Sequence, residues 1–158
     1  MTSQLPAFPR FIFTVYEPIT LIGGAIGGIF TPQYFVTEQT PTHIAAAYRW
    51  PEQSLLVTQQ LGNMYFLAFL LGVLVLHATT EIKVVRAYLV ALAIADVTHV
   101  GITCATLGLG NSLNVAGWNP VTWGNIGITT SLFVTRMAYF LGLFGPDGRK
   151  DLEHLKSS

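Results

Sequence analysis

The stretch LLVTQQLGNMYFLAFLLGVLVLHA, residues 55–78, decides the fold. It contains no Asp, Glu, Lys or Arg, and a bilayer core of about 30 Å needs about 20 consecutive apolar helical residues. Three other stretches are also long and predominantly apolar, with at most two charged residues each, roughly residues 10–30, 84–107 and 121–144. Each boundary carries a helix-breaking or charged signal. Thr31-Pro32 ends the first stretch and Pro51 precedes the second, while Glu81 and Lys83 separate the second from the third. Gly108, Gly110, Asn111 and Pro120 mark the last connection. The expected fold is an all-α membrane protein, one domain over residues 1–158 built as a four-transmembrane-helix bundle. A soluble helical domain is the alternative, but its helices would carry a polar stripe that these lack.

Composition agrees. Of 158 residues, 51% are apolar and only 10% charged, against about 25% charged in soluble domains. The length suits one compact domain. Net charge is zero and no basic block exists, so no nucleic-acid partner is expected. The lone Cys104 excludes an internal disulfide framework. It has no metal-ligating partner at useful spacing, so it is expected to pack and no metal is expected. The first nine residues lack a basic region, and no small-x-small site follows a short apolar core. No cleavable signal peptide is therefore expected, and the first apolar segment should remain as an anchor.

Orientation follows from the basic residues. Arg10, Lys83, Arg86, Arg149, Lys150 and Lys156 fall on one side and only Arg49 on the other. The positive-inside rule then puts both termini in the cytosol, with residues 145–158 as a cytosolic tail. The loops 31–54 and 108–120 face the lumen or exterior, where Tyr34, Phe35, Trp50, Trp118 and Trp123 form an expected aromatic belt. The endoplasmic reticulum is the default location. Gly23-Gly24 and Gly27-Gly28 form two overlaid small-xxx-small patterns, which allow close helix approach. Packing within the chain is the favoured reading of this face, and a homodimer seam is the second.

The informative residues are polar groups at membrane depth: Glu17, Asp96, His99 and Arg136. Charge in hydrocarbon is costly, so such groups are expected to turn inward and pair. Counting about 1.5 Å per residue puts Glu17 and Arg136 at one level, about 10–12 Å from the cytosolic edge, where they can pair. Asp96 and His99 come out deeper, about 18 and 22 Å, and their spacing of three puts them on one helix face. Asn63 reaches the same depth from the other end, and Gln59 shares its face. Pro18 also frees the carbonyl of Thr14. Two layers result: Glu17 with Arg136, and beyond them Asp96, His99, Asn63 and Tyr65, with Asn125 and Trp123 nearer the lumen. Each has a simpler alternative. Glu17 and Arg136 read equally as a structural pair, and Asn63 and Asn125 as interhelical hydrogen-bond glue.

Burial and a nearby Arg can push two carboxyl groups into different protonation states, so one dry site can hold an acid and a base. Such a pair can protonate an ether, epoxide or alkene while activating water or an internal hydroxyl. The sequence has no dinucleotide fingerprint, phosphate loop or zinc-type His-Glu spacing, so no cofactor is expected.

Five motifs carry a resemblance: Leu5-Pro6-Ala7-Phe8-Pro9-Arg10-Phe11, Tyr16-Glu17-Pro18-Ile19, Gln60-Leu61-Gly62-Asn63-Met64-Tyr65, Asp96-Val97-Thr98-His99 and Thr122-Trp123-Gly124-Asn125. Through them the chain resembles small fungal four-span membrane proteins of secondary-metabolite pathways. Some of these are linked to epoxide opening or cyclisation of polyene polyketides, of the aurovertin and citreoviridin type, and others to meroterpenoids. The resemblance implies that Glu17, Asp96 and His99 are acid–base groups, and that Asn63, Tyr65 and Asn125 orient substrate. In topology and residue type alone, the chain is also similar to the emopamil-binding protein class of sterol isomerases. No site residue is carried over from that class.

The resulting expectation is a membrane-embedded, cofactor-free enzyme that opens or cyclises an epoxide on a lipophilic polyketide or terpenoid. Asp96 is the expected general acid, assisted by His99. Glu17 is the base or charge stabiliser, kept ionised by Arg136. Asn63, Tyr65, Asn125, Trp123 and Arg136 are the expected binding residues. A carbocation isomerase or terpene cyclase would instead depend on Trp123, Tyr65 and Tyr139. A non-enzymatic sterol-binding or scaffold protein is the third reading.

Overall fold

The computed structural model describes residues 5–40 and 50–148, and its regular structure among these is entirely helical. The first long helix, α1, runs from Ala7–Phe30. A widened turn at Ile12–Tyr16 interrupts it, where the Glu17 N–H reaches back five residues to the Ile12 carbonyl. Pro18 lies directly beyond. It has no N–H to give, and its ring collides with a carbonyl four residues back in a regular helix, so a wider turn relieves both problems. Thr31 closes the helix, its N–H and hydroxyl both donating to the Gly27 carbonyl at 3.1 and 3.0 Å.

The segment after Thr31, expected as loop, begins with a short helix α2, Pro32–Thr37. Next come α3, Glu52–Ala78, and α4, Ile82–Leu113. Inside α4 the glycine at 108 takes φ +75°, which breaks the helix where the expected third span ends. The last helix, α5, covers residues 120–140 and widens again at Trp123–Ile128. Asn119 caps its start by accepting from the Thr122 N–H at 2.8 Å.

Helices α1, α3 and α4 are long and apolar enough to cross a membrane. Their outward faces carry large apolar side chains such as Ile19, Phe30, Val57, Ile94, Ile102 and Leu109. This is the composition of a membrane protein. The fourth expected span is helical too, but less apolar than the others.

Two helix pairs build the molecule. Helices α1 and α3 touch backbone to backbone: a Cβ on Gly28 would stand 2.7 Å from the Gly62 Cα. Gly24 receives the Tyr65 ring and Gly27 the Phe35 ring. Three of the four glycines in α1 thus pack against neighbours in the same chain, while Gly23 faces open space. Phe35, expected in the aromatic belt, is buried edge-on to Tyr65, because α2 folds back over α1 and α3. The second pair is α4 with α5.

The two pairs join at the end that holds Leu5 and the turn at residues 79–81. Leu5, Phe13, Leu76, Val85, Leu89 and Tyr139 form a buried cluster there. Arg86 and Tyr139 also fasten Asp147, at 2.7 and 2.9 Å respectively, although this residue was expected in a solvated tail. Toward the other end the pairs part and enclose a cavity. Arg49, His43 and the residues from Arg149 onward lie outside the described residues.

Gly28→Val should drive α1 off α3. Overpacking of this kind costs about 1–3 kcal/mol, so purified protein in detergent should unfold at a clearly lower temperature. Gly101→Ala, whose added carbon meets nothing within 4 Å, should leave the transition in place.

Candidate functional site

Among the described residues Arg136 is the most buried of the polar ones, at 0% exposure. It comes from α5 and reaches across to two other helices. Its Nη2 donates to Glu17 Oε1 of α1, and its Nη1 to Asp96 Oδ2 of α4. Both acids are themselves buried, at 6% and 9% exposure. The Phe13 ring lies under the guanidinium, 5.3 Å from its carbon. The Nε is buried without a hydrogen-bond partner among the described residues.

Asp96, expected in the deeper layer, therefore joins the layer of Glu17 and Arg136. Depth counting along the helices separated Arg136 from Asp96, but a long flexible side chain can reach along the bundle and close that gap. The pairing of Glu17 with Arg136 is present, and Asp96 joins it as a second ligand of the same cation.

Glu17 and Asp96 sit at one end of a cavity of about 560 Å³. Its walls come from all five helices, with Leu21, Gly23 and Gly24 of α1, Phe35 of α2, Leu61 and Tyr65 of α3, Leu92 of α4 and Ile128 of α5. The volume falls in the range of small-molecule sites, and the lining is mostly apolar with few polar groups, as such sites usually are. Leu61, Met64 and Ala95 line the cavity and are also exposed, so it opens at the outer surface beside α3 and α4.

A second polar group lies one turn from Asp96. His99 Nε2 meets Asn125 Oδ1 at 3.3 Å, and Asn125 Nδ2 donates to Gln39 Oε1 at 2.8 Å. The widened turn at Trp123–Ile128 places Asn125 here, and the Gly124 carbonyl is taken up by the Thr129 hydroxyl at 3.1 Å. Gln39 is a residue that sequence reasoning missed. Nothing in a polar connection between helices marks one amide as part of a site.

Of the expected site residues, Glu17, Asp96, His99, Tyr65 and Asn125 line the cavity, and Arg136 stands behind its acids. Asn63 and Trp123 do not reach it. Asn63 is exposed on the outside of α3. Tyr65 is two residues on, and two residues on an α-helix point about 160° apart, so both cannot face one cavity. Trp123 is exposed, packs edge-on to Trp118 at 4.9 Å, and covers Gly127. Tyr139 lies at the opposite, packed end of the bundle. Among the described residues no cluster of His, Cys, Asp and Glu has the makings of a metal site.

A family model described as a domain of unknown function (DUF7704) matches residues 2–146. The chain belongs to this family. The match covers every helix and every residue of the site. No curated protein and no solved structure matches the chain.

Removing one partner of a buried ion pair costs about 3–5 kcal/mol, because charge is left uncompensated. Arg136→Met should therefore lower the thermal unfolding temperature sharply. Adding Glu17→Gln and Asp96→Asn to the same chain should recover part of that loss. Equal losses in the single and triple variants would mean that Arg136 acts through packing alone.

Proposed function

We propose that this protein is a membrane-embedded, cofactor-free acid–base enzyme that opens or cyclises an epoxide on a lipophilic polyketide or terpenoid. The observation that carries the reading is the pair of carboxyl groups held by one buried guanidinium at the end of an apolar cavity. Two carboxylates against one cation leave a surplus negative charge, and such charge is costly away from water. One proton shared between the acids removes it. The site then holds one carboxylic acid and one carboxylate side by side.

That pair matches the needs of epoxide opening. Asp96, as the acid, gives its proton to the epoxide oxygen as the C–O bond breaks. Glu17, as the carboxylate, takes a proton from water or an internal hydroxyl as the new C–O bond forms. The product is a diol or a cyclic ether. Transfer of the proton from Glu17 back to Asp96 resets the pair. Arg136 contacts both acids and stabilises whichever bears the charge. His99 and Asn125, one turn away, orient an oxygen of the substrate, and Tyr65 forms part of the apolar wall. The carbocation reading has less support, since two of its three aromatic groups, Trp123 and Tyr139, stand away from the cavity.

In this reading the chain crosses the bilayer four times, with both termini in the cytosol and the endoplasmic reticulum as its membrane. Residues 120–140 extend about 31 Å, enough to span the hydrocarbon. The residue that most lowers their apolar character, Arg136, is wholly buried against two acids. Arg10, Lys83 and Arg86 all fall at the packed end. Lipophilic substrate enters from lipid through the opening beside Leu61, Met64 and Ala95.

Microsomes carrying the wild-type chain should convert a panel of polyene and terpenoid epoxides to diols or cyclic ethers. Diols formed in ¹⁸O-labelled water should carry the label. General acid–base help is worth about 10²- to 10⁴-fold, so Asp96→Asn and Glu17→Gln should each lose activity on that scale while keeping a cooperative unfolding transition. Wild-type turnover by Asp96→Asn, or no turnover of any epoxide by the wild type, would remove the proposal and leave a lipid-binding or scaffold role.

A further inference from the structure

The expectation that Asn63 lines the cavity fails, and its actual position raises a different question. Helix α3 is about 40 Å long, and Gln60 and Asn63 lie about 12 and 17 Å from its start, well inside a bilayer. Both are exposed, and neither has a hydrogen-bond partner among the described residues. Their neighbour Gln59 differs, since it turns back to donate to the Ile29 carbonyl at 3.4 Å. Two primary amides thus stand on the outward side of a helix apolar enough to cross a membrane, with all their donors and acceptors unused. An unpaired amide in an apolar medium costs several kcal/mol.

The amides sit within a regular stripe. Leu56, Gln60, Asn63, Leu67, Leu71 and Leu74 are all exposed and recur every three or four residues. They run along the side of α3 opposite Thr58, Gly62, Gly72 and Leu76, which pack inward. A line of this spacing runs along one side of an α-helix and suits a helix–helix contact, and a polar residue within such a seam fixes its register.

We propose that this face of α3 seats a second copy of the same chain, joined by reciprocal hydrogen bonds of Gln60 and Asn63 across a two-fold axis. The chemistry favours an identical copy. A carboxamide offers both donors and an acceptor, so it is complementary to itself. A two-fold contact sets the same patch against itself and satisfies both sides at once. Met64, at the cavity opening, borders this stripe, four residues after Gln60, while Leu61 and Ala95 at the same opening lie off it. The proposal is independent of the catalytic reading, because neither amide reaches the cavity.

The test uses the full chain in microsomes with Cys104→Ala and a single new cysteine. Under mild oxidation, Asn63→Cys should give a band at twice the chain mass, and Ile94→Cys, an outward position on α4, should give little. In liposomes, energy transfer between differently labelled copies should show association weakening roughly threefold or more for each amide removed by Gln60→Leu or Asn63→Leu. These outward substitutions should keep the unfolding temperature of the detergent-solubilised monomer. Absence of the Asn63→Cys dimer, crosslinking of that cysteine to other proteins instead, or unchanged association in the leucine variants would each overturn the proposal.

Discussion

A guanidinium that lies entirely out of contact with solvent holds two carboxyl groups from two other helices. Three of the four long helices are tied at this one point, and each contributes a group that cannot be left alone at that depth. Arg136 without its acids is an isolated buried cation, and either acid without Arg136 is a carboxyl group in an apolar wall. The tie therefore links the positions of α1, α4 and α5 to one another. In lipid, apolar side chains gain little by leaving their surroundings, so packing contacts and polar pairs carry more of the specificity.

The cavity exists because the two helix pairs are held together unevenly. At one end, large side chains around Phe13, Leu76 and Leu89 fill the centre. At the other, α1 is drawn against α3 by the contact of Gly28 with Gly62, where no side chain intervenes. Helix α1 cannot lie that close to α3 and also fill the space toward α4 and α5. Small residues at Gly23, Gly24 and Ala95 then line the gap that remains. The ion cluster stands at the boundary between the filled half and the open half. The same backbone contact that stabilises one pair thus leaves room for a ligand next to the acids.

The two widened helical turns belong to the same design. One precedes Glu17 and the other contains Asn125, so each delivers a polar side chain to the cavity. Proline explains the first in the sequence itself. The second has no proline within it, and only the fold shows it. Asn125 is held from both sides, by His99 and by Gln39 from the segment after α2. That triplet joins parts of the chain 26 and 86 residues apart.

The sequence by itself marked α1, α3 and α4 as long and apolar enough to cross a membrane, because length and apolar composition are properties of each segment alone. It also singled out Glu17, Asp96, His99 and Arg136, since charge at membrane depth is costly wherever the neighbours lie. It gave Asn63 and Trp123 a depth along their helices but could not say which way they point, because depth follows from counting and direction does not. Rotation of α3 about its axis is set by Gly62 against Gly28, a contact between helices, and that rotation turns Asn63 outward. Only the tertiary structure decided that one cation serves both acids, because side-chain reach across a bundle depends on where the helices cross.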